Sequence, residues 1–308
     1  MNLDPAQTIV VDTAISQLRT SASDAQRLFH GRGHCYEGLE HLTVDWYPPF
    51  LLLSVFGREV DKTWLDTLAA ALAKVVPGVT GTAVQWRDGR RTRAEILTGE
   101  VPEQWVIDES GLHYLVHPLT HQNIGFFLDM EPARRWVRAR AESAKVLNLF
   151  AFTCAFSVAA LAGGAREVVN NDMSRSVLNR GKENHRVNGH DERAVRYVPR
   201  NVFKSWWKLK QLGRYDLIIV DPPTNQRGSF VAEKDYPAVM KRLPDLAAPG
   251  ANVLLCLNSP FLPFHFLEDQ MARRCPGYRF VERIQASPDF PDQHPDQGLK
   301  LAVFRAPG

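Results

Sequence analysis

Residues 145–172 read KVLNLFAFTCAFSVAALAGGAREVVNND, and this stretch decides the fold of the chain. An apolar strand, a turn, a helix of small residues and a second apolar strand follow one another and end at Asp172. The order is typical of the first half of a nucleotide-binding βαβ unit, in which the acid after the second strand can accept hydrogen bonds from ribose hydroxyls. Glycines are absent from the turn, where Cys154 and Ala155 stand. We expect these two residues to form an unstrained turn with φ below zero.

Strands and helices continue to alternate after Asp172, as a doubly wound parallel sheet requires. The buried strand YDLIIV ends at Asp221, and the strand ANVLLCLN ends at Asn258. RFVERIQASPDF and LKLAVFRA give two terminal strands. The sequence therefore predicts an α/β fold in which residues 119–308 form a Rossmann-like, doubly wound sheet of seven strands.

The N-terminal part is predicted to contain a smaller α/β domain over residues 41–118. The runs LTVDWY and FLLLSVFG are strand-like, and Asp61 is placed to cap an amphipathic helix. The segment TAVQWRDGRRTRAEIL is typical of a hairpin with Asp88 and Gly89 in its turn. Residues 1–40 are polar, and we expect them to be irregular.

The composition is that of an ordinary globular protein, with 308 residues of which 44% are hydrophobic and 23% are charged. A net charge of +3 permits a nucleic-acid partner without requiring one. Cysteines at 35, 154, 256 and 275 have no paired spacing, which argues against a disulfide framework and favours a reducing cytoplasm. Apolar runs long enough for a membrane span are absent from the sequence, so we expect no membrane partner. The sequence does not indicate an oligomeric state.

Two polar clusters in the N-terminal part admit more than one interpretation. HGRGHC offers His30, His34 and Cys35 to a metal, but its two glycines favour a turn that packs or contacts a partner, and we predict no metal site. The predicted hairpin carries arginines beside Trp86 that either bind phosphates while the ring stacks on a base or form a solvated tip. They are Arg87, Arg90, Arg91 and Arg93. A further basic segment outside these clusters, ARRWVRAR at residues 133–140, is typical of a solvated helical face.

Five motifs in succession resemble those of the class I S-adenosylmethionine-dependent methyltransferases. They are GFFLDM at residues 125–130, the NLFAFTCAFSVAAL turn, VVNNDMS, the step from Asn201 to Phe203, and DPPTN at residues 221–225. Within that class, the chain resembles the large-subunit ribosomal RNA methyltransferases that form 5-methylcytosine or 7-methylguanine. The resemblance covers nearly the whole chain, but we recognise no copy of the PUA-like module that some members carry.

The resemblance implies S-adenosylmethionine as the cofactor. Asp172 would accept both ribose hydroxyls, and Asn201 lies where the family usually has an aspartate that accepts from the adenine amino group. Cys154 and Ala155 stand where relatives commonly have two glycines. The complete set of implied cofactor-binding residues is Phe127, Asp129, Asn148, Phe150, Thr153, Cys154, Ala155, Phe156, Asp172, Met173, Asn201, Val202 and Asp221.

The implied catalytic residues are Asp221, Pro222, Pro223 and Asn258. Two prolines fix the turn after the fourth strand, so carbonyls and the Asp221 side chain can receive a target amine or position the methyl donor. Methylation of a pyrimidine carbon also needs a thiolate, and Asn258 takes the place of that nucleophile in the 5-methylcytosine relatives. Cys256 lies two residues earlier inside an apolar strand, where a cysteine is usually a small hydrophobe. The sequence therefore favours a guanine nitrogen as the acceptor.

Several alternatives stay open from the sequence. The Pro-Pro motif also resembles that of enzymes that methylate glutamine or other planar amides. DPP alone would favour a rigid exit from a strand, but its position after the YDLIIV strand and its distance from Asp172 favour the functional interpretation. Side chains at Cys154 and Ala155 can block the cofactor, which would leave a non-catalytic RNA-binding protein. A small metabolite would also suit the modest charge. The favoured partner is ribosomal RNA or an intermediate of large-subunit assembly.

Overall fold

The computed structural model describes residues 2–19, 23–87, 92–120, 123–226 and 230–308. It divides into two compact units. The N-terminal unit comprises Met1–Asp129 and Ser287–Gln293, and the C-terminal unit comprises Met130–Ala286 and His294–Gly308. The division between them thus follows Asp129, rather than the predicted position between residues 118 and 119, and a short late segment joins the N-terminal unit.

The N-terminal unit is built on a sheet of five strands in the order β1-β2-β3-β4-β5. Strands β3 and β4 are parallel, whereas the other neighbours are antiparallel, and β6 and β7 form a separate hairpin. The elements are α1 (Pro5–Gln17), β1 (Gln26–His30), β2 (Leu42–Tyr47), β3 (Phe50–Phe56), α2 (Lys62–Val75), β4 (Gly81–Arg87), β5 (Thr92–Gly99), β6 (Trp105–Glu109) and β7 (Leu112–Val116).

The expectation of an irregular segment at residues 1–40 is wrong, because α1 and β1 lie within it. Asp4 caps α1: its carboxylate accepts from the Gln7 amide at 2.7 Å, and the Gln7 side chain accepts from the Asp4 amide at 3.1 Å. The helix buries Val10, Val11 and Ala14 together with the polar Gln7, whereas Ile9 and Ile15 are exposed. Because its apolar residues do not keep to one face, the helix gives little periodic signal in the sequence.

Other predictions for this unit are confirmed. The strands β2 and β3 coincide with LTVDWY and FLLLSVFG, and the Asp61 carboxylate caps α2 by accepting from the Trp64 amide at 3.0 Å. Strands β4 and β5 pair as the predicted hairpin. Its turn, with Asp88, Gly89, Arg90 and Arg91, lies outside the described residues.

Two glycines of the HGRGHC cluster allow close packing in the N-terminal unit. A Cβ at Gly31 would lie 1.9 Å from the Leu39 carbonyl oxygen, and one at Gly33 would lie 1.8 Å from that of Pro291. The cluster is therefore a turn that the surrounding backbone encloses. Across the described residues, no group of three or more His, Cys, Asp or Glu side chains is placed to hold a metal ion.

The C-terminal unit contains the predicted seven-stranded sheet, in the order β10-β9-β8-β11-β14-β16-β15. Strand β16 runs antiparallel to both of its neighbours, and the other pairs are parallel. The elements are α3 (Glu131–Arg138), β8 (Lys145–Leu149), α4 (Ala155–Ala162), β9 (Glu167–Asp172), α5 (Arg175–Val187), β10 (Val195–Pro199), α6 (Trp206–Gln211), β11 (Tyr215–Val220), β12 (Asn225–Gln226), β13 (Phe230–Val231), α7 (Ala232–Met240), α8 (Leu243–Leu246), β14 (Ala247–Asn258), α9 (His265–Arg274), β15 (Arg279–Ile284) and β16 (Leu299–Arg305).

Both faces of this sheet are buried, as the continuous apolar run of β11 predicts. Leu217 and Ile219 enter one core cluster, while Ile218 and Val220 enter the other, because successive side chains of a strand point to opposite faces. The last predicted strand before β16 is shorter than expected: β15 ends at Ile284, and Ser287–Gln293 belongs to the N-terminal unit. None of the described helices has the length and apolar character that a bilayer span requires.

A buried tyrosine joins the ends of two central strands. Tyr236 on α7 is fully buried, and its hydroxyl oxygen lies 3.1 Å from the carbonyl oxygen of Val220 on β11 and 3.0 Å from that of Cys256 on β14. The two carbonyls share its single hydrogen, so the hydroxyl links the ends of the two strands.

We expect Tyr236→Phe to lower the free energy of unfolding by about 1–3 kcal/mol, because two buried carbonyls lose the one donor that they share while the ring still fills its space. Urea denaturation measures the change. The matched control is Tyr278→Phe, at a half-buried tyrosine of the same unit, for which we expect less than about 0.5 kcal/mol. Equal costs for the two variants would contradict the role given to the Tyr236 hydroxyl.

Candidate functional site

The predicted site residues of the C-terminal unit gather at one edge of its sheet. Because β10, β9, β8, β11 and β14 run parallel, their carboxyl ends meet at that edge, where doubly wound sheets bind ligands. The segment 150–156 follows β8, Asp172 and Met173 end β9 and follow it, Asn201 and Val202 follow β10, residues 221–223 follow β11, and Asn258 ends β14. Asn148 lies inside β8.

The turn after β8 is left-handed at three side-chain-bearing residues. Phe150, Phe152 and Cys154 have φ values of 59°, 47° and 64°. The prediction of negative φ at Cys154 is therefore wrong; Ala155, which starts α4, is not among the residues with positive φ. Each such residue costs roughly 1–2 kcal/mol, so the surrounding structure must hold the turn.

Three backbone amides hold this turn in place. The Phe152 amide donates to the Asp172 carboxylate at 2.9 Å, and the Ala151 amide donates to the Asn171 carbonyl at 3.0 Å. Within the turn, the Cys154 amide donates to the Ala151 carbonyl at 2.7 Å. The second strand of the βαβ unit thus fixes the shape of the turn after the first.

The Cys154 side chain fits against a glycine that the sequence analysis missed. A Cβ built on Gly181 of α5 would lie 2.4 Å from the Cys154 sulfur and 2.9 Å from its Cβ. Cys154 is fully buried, and burial raises the pKa of its thiol. The Cys154 side chain, at a turn position where relatives commonly have glycine, therefore fits because residue 181 on α5 is a glycine.

Asp172 is an anchored carboxylate at the end of β9. One oxygen accepts from the Phe152 amide at 2.9 Å, and the other accepts from the Ser174 amide at 2.8 Å. Burial raises the pKa of Asp172, whereas the amides of Ser174, Phe152 and Met173 act in the opposite direction. Each carboxylate oxygen can accept more than one hydrogen bond, so the group can still receive hydroxyl donors.

Two asparagines shape the edge next to Asp172. The Asn171 amide donates to the carbonyls of Val198 and Arg200, both at 2.8 Å, and so ties the end of β10 to β9. The Asn201 side-chain oxygen accepts from the Phe203 amide at 2.9 Å and caps a short turn of 3₁₀-helix. An amide oxygen has a second lone pair, which this bond leaves available. The role of Asn171 had no motif signal in the sequence.

A buried chain of polar side chains lies beneath the left-handed turn. Asn148 donates to Asn170 at 2.9 Å, Asn170 donates to Ser157 at 2.9 Å, and Ser157 bonds to His185 at 2.9 Å. His185 also shares a hydrogen bond of 3.0 Å with His190. Burial, together with His190, lowers the pKa of His185 to about 3, so the imidazole is neutral. This chain links β8, β9, α4 and α5 and gives Asn148 a place in the support of the turn.

The turn after β11 and the end of β14 are joined directly. The Thr224 hydroxyl donates to the Asn258 carbonyl, so the structure brings the Asp221 to Thr224 segment and Asn258 together. Asn258 is exposed, whereas Cys256 is fully buried in a core cluster with Leu301. The fully buried Lys300 ammonium donates to the Ser259 carbonyl at 2.7 Å and to that of Gly298 at 2.8 Å. Lys300 therefore holds the start of the loop after β14.

Residues 125–129 of the GFFLDM motif lie in the N-terminal unit. There Phe127 and Asp129 line a cavity of about 150 Å³ together with Arg27, Tyr47 and Arg87. Phe127 is 43% exposed. These two predicted cofactor-binding residues thus belong to a polar cavity of the N-terminal unit.

A family model described as S-adenosylmethionine-dependent methyltransferase matches residues 26–305. The chain belongs to this family. The cofactor of this family is S-adenosylmethionine, as the resemblance of the sequence motifs implies.

Curated relatives of this methyltransferase carry the name "Ribosomal RNA large subunit methyltransferase I". That of Aeromonas salmonicida is 33% identical over 196 residues, which are 61% of this chain and 49% of the relative. That of Aeromonas hydrophila is 31% identical over 71% of this chain and 59% of the relative. That of Yersinia pseudotuberculosis is 29% identical over 83% of this chain and 68% of the relative. The chain thus spans about half the length of the first relative.

Solved structures share the fold. One chain, in complex with S-adenosylhomocysteine, has a TM-score of 0.87 and 24% identity, and the match covers 99% of this chain and 83% of that chain. A methyltransferase from Agrobacterium tumefaciens has a TM-score of 0.68 and 18% identity, with coverage of 94% and 92%. At these identities, the likeness shows the methyltransferase fold alone.

The contact between Cys154 and Gly181 predicts strong coupling between the two positions. Gly181→Ala should lower the free energy of unfolding by about 1–3 kcal/mol, because its methyl group meets the Cys154 sulfur. Adding Cys154→Gly should recover about 1 kcal/mol or more, since it removes the sulfur and suits the left-handed backbone. Urea denaturation of the four proteins of this double-mutant cycle measures the coupling.

The control cycle pairs Cys154→Gly with Asn179→Ala, at an exposed position of the same helix. We expect these two changes to be additive within about 0.5 kcal/mol. Additivity in the Gly181 cycle as well would contradict the steric account of the turn.

Proposed function

We propose that this chain transfers a methyl group from S-adenosylmethionine to a base of large-subunit ribosomal RNA. The observation that carries the proposal is the joined edge of the sheet, where the anchored Asp172 carboxylate, the Asp221 to Thr224 turn and Asn258 follow parallel strands. The names of the curated relatives support the RNA substrate. Such a substrate would place the protein in the cytoplasm, with ribosomal RNA or an assembly intermediate as its partner.

The residues at this edge fit the cofactor. Asp172 offers two anchored oxygens to ribose hydroxyls, and Asn201 retains a lone pair for the adenine amino group. The turn over residues 150–156 has a left-handed backbone at three positions and leads into the start of α4. When bound, S-adenosylmethionine supplies an electrophilic methyl group on its sulfonium. In this proposal Met173, Val202 and Asp221 of the C-terminal unit also contact the cofactor.

The residues after β11 and β14 would orient the acceptor. Asp221 and the carbonyls of the Pro222 to Pro223 turn can accept hydrogen bonds from a base amine and so align its nitrogen with the methyl donor. Asn258 has no nucleophilic sulfur, and the Cys256 sulfur is enclosed in the core. Both features favour a nitrogen, as in guanine, over carbon 5 of cytosine.

Incubation with methyl-labelled cofactor tests the proposed substrate. Naked ribosomal RNA, large-subunit particles and total protein are each offered to the wild-type chain, and label is followed by digestion and mass spectrometry. We expect label in a guanine of large-subunit RNA. Label in protein or in a small metabolite would overturn the RNA substrate, and folded protein that binds no cofactor would overturn the enzyme.

Removing the Asp172 charge should weaken cofactor binding. For Asp172→Asn we expect a loss of about 1.5–3 kcal/mol, as for a hydrogen bond to a charged group. That is a rise of roughly ten- to a hundredfold in the Kd for S-adenosylmethionine, measured by isothermal titration calorimetry. Asp191→Asn, at an exposed aspartate, is the control and should change the Kd less than about twofold. An unchanged Kd in Asp172→Asn would remove Asp172 from the cofactor site.

The same titration has an expected pH dependence. Burial raises the pKa of Asp172 in the free protein, so cofactor affinity should be full above that raised pKa and fall as the pH drops through it. Because the proposed bonds need the carboxylate, the decline should begin at a higher pH than for an ordinary aspartate. Asp172→Asn should not show this decline.

Replacing the buried cysteine of β14 tests the choice of acceptor atom. Cys256→Ala should leave kcat for RNA methylation within about threefold, because the sulfur lies in the core rather than at the reacting base. Cys275→Ala, at another buried cysteine of the same unit, controls for packing effects. A selective loss in Cys256→Ala of about a thousandfold or more would point to covalent catalysis on a pyrimidine.

A further inference from the structure

The cavity of the N-terminal unit is built from charged, aromatic and aliphatic side chains. Its volume is about 150 Å³. The residues that bear on its chemistry are Arg27, Asp45, Tyr47, Arg87, Phe127 and Phe290. Asp129 adds a second carboxylate to the lining, so two arginines face two aspartates.

Arg27 already donates three hydrogen bonds to its neighbours. Its Nε donates to Asp45 Oδ1 at 2.6 Å and its Nη2 donates to Asp45 Oδ2 at 3.1 Å, as in a bidentate ion pair. Its Nη1 donates to His30 Nδ1 at 2.6 Å, and its guanidinium lies 4.6 Å from the centre of the Phe290 ring. Because Asp45 neutralises Arg27 and Asp129 opposes an anion, the cavity is poorly suited to a phosphate.

Two hydrogen-bond donors in the lining bear on the choice of ligand. Tyr47 contributes a hydroxyl to the lining and is 3% exposed. Arg87 donates from Nη2 to the Gln85 side chain at 3.1 Å, whereas its buried Nε has no partner among the described residues. A buried donor without a partner is costly, so the Arg87 Nε indicates a ligand that brings an acceptor.

The rest of the lining suits a flat, uncharged ligand. Phe127 is partly exposed, and Phe290 supplies a second ring whose face is covered by Arg27. Leu52 and Ile124 add aliphatic surface. Aromatic walls with a few polar groups are how proteins hold unstacked bases of RNA.

We propose that this cavity binds a nucleobase of the RNA substrate through the base's acceptor edge. Guanine is the base that presents two adjacent acceptors, O6 and N7, and an arginine is their common partner. Arg87 Nε and the Tyr47 hydroxyl would donate to that edge, while the aromatic walls enclose the ring. The inference rests on the proposed function in one respect, that the substrate is RNA.

Charge-preserving variants test the cavity. Tyr47→Phe removes the hydroxyl, and Arg87→Lys removes the Nε donor while keeping the positive charge that attracts phosphates. Each should raise the Kd for a guanine-containing RNA oligonucleotide roughly five- to tenfold, as measured by fluorescence anisotropy. Tyr36→Phe and Arg58→Lys, in the same unit but outside the cavity, are the matched controls and should stay within about twofold.

Calorimetry with S-adenosylmethionine separates this site from the cofactor site. We expect Tyr47→Phe and Arg87→Lys to bind the cofactor like the wild type. Equal weakening of cofactor and RNA binding would assign the cavity to the cofactor and overturn the proposal. RNA binding that matches the controls in both variants would overturn it as well.

Free nucleosides test the cavity without any turnover. Guanosine should bind the wild-type protein more tightly than uridine in ligand-observed NMR, and Tyr47→Phe should lose that preference. Absence of guanosine binding to the wild type overturns the cavity proposal even if RNA is methylated. Conversely, label that enters protein instead of RNA defeats the proposed function, and the guanosine measurement still decides the cavity separately.

Discussion

The candidate site depends on one interaction, the hydrogen bond that the Phe152 amide donates to the Asp172 carboxylate. This bond joins the turn after β8 to the end of β9 and so fixes the crevice between the first two strands of the βαβ unit. The turn it holds contains three residues with positive φ, an arrangement that a free chain would avoid. Asp172 therefore stabilises the turn in the absence of a ligand, and its carboxylate oxygens can still accept hydrogen bonds from one.

The asparagines and the glycine around this bond explain how the turn persists without its own glycines. Asn171 ties β10 to β9, and a chain of hydrogen-bonded side chains from Asn148 to His190 links β8, β9, α4 and α5. Gly181 leaves room for the Cys154 sulfur. A left-handed residue is tolerated when its surroundings over-determine it, and here three separate elements do so.

The sequence predicts those parts of the fold that a local pattern specifies. The run YDLIIV is largely apolar because both faces of its strand are buried. Asp61 caps α2 through a local hydrogen bond, which its carboxylate accepts from the amide three residues later in the sequence. The helix α1 is not predicted because its apolar residues lie on both its buried and its exposed faces, and the sign of φ at Cys154 is not predicted because contacts with distant residues decide it. For the site, the motifs predict Asp172, Asp221 and Asn258, whereas only long-range contacts in the structure reveal Asn171, Gly181 and Lys300.

The pairing of β14 with β16 bears on the chemistry of the edge. Cys256 pairs with Leu301 and Asn258 pairs with Leu299, so both residues lie on the same face of β14, one inside the core and one at its rim. A register shift of two residues would bring the sulfur to the rim. Lys300 opposes such a shift, because its buried ammonium is bonded to the carbonyls of Ser259 and Gly298, on either side of the strand pair's end. A charge buried in this way is costly to move, and it therefore fixes an amide, rather than a thiol, beside the Asp221 turn.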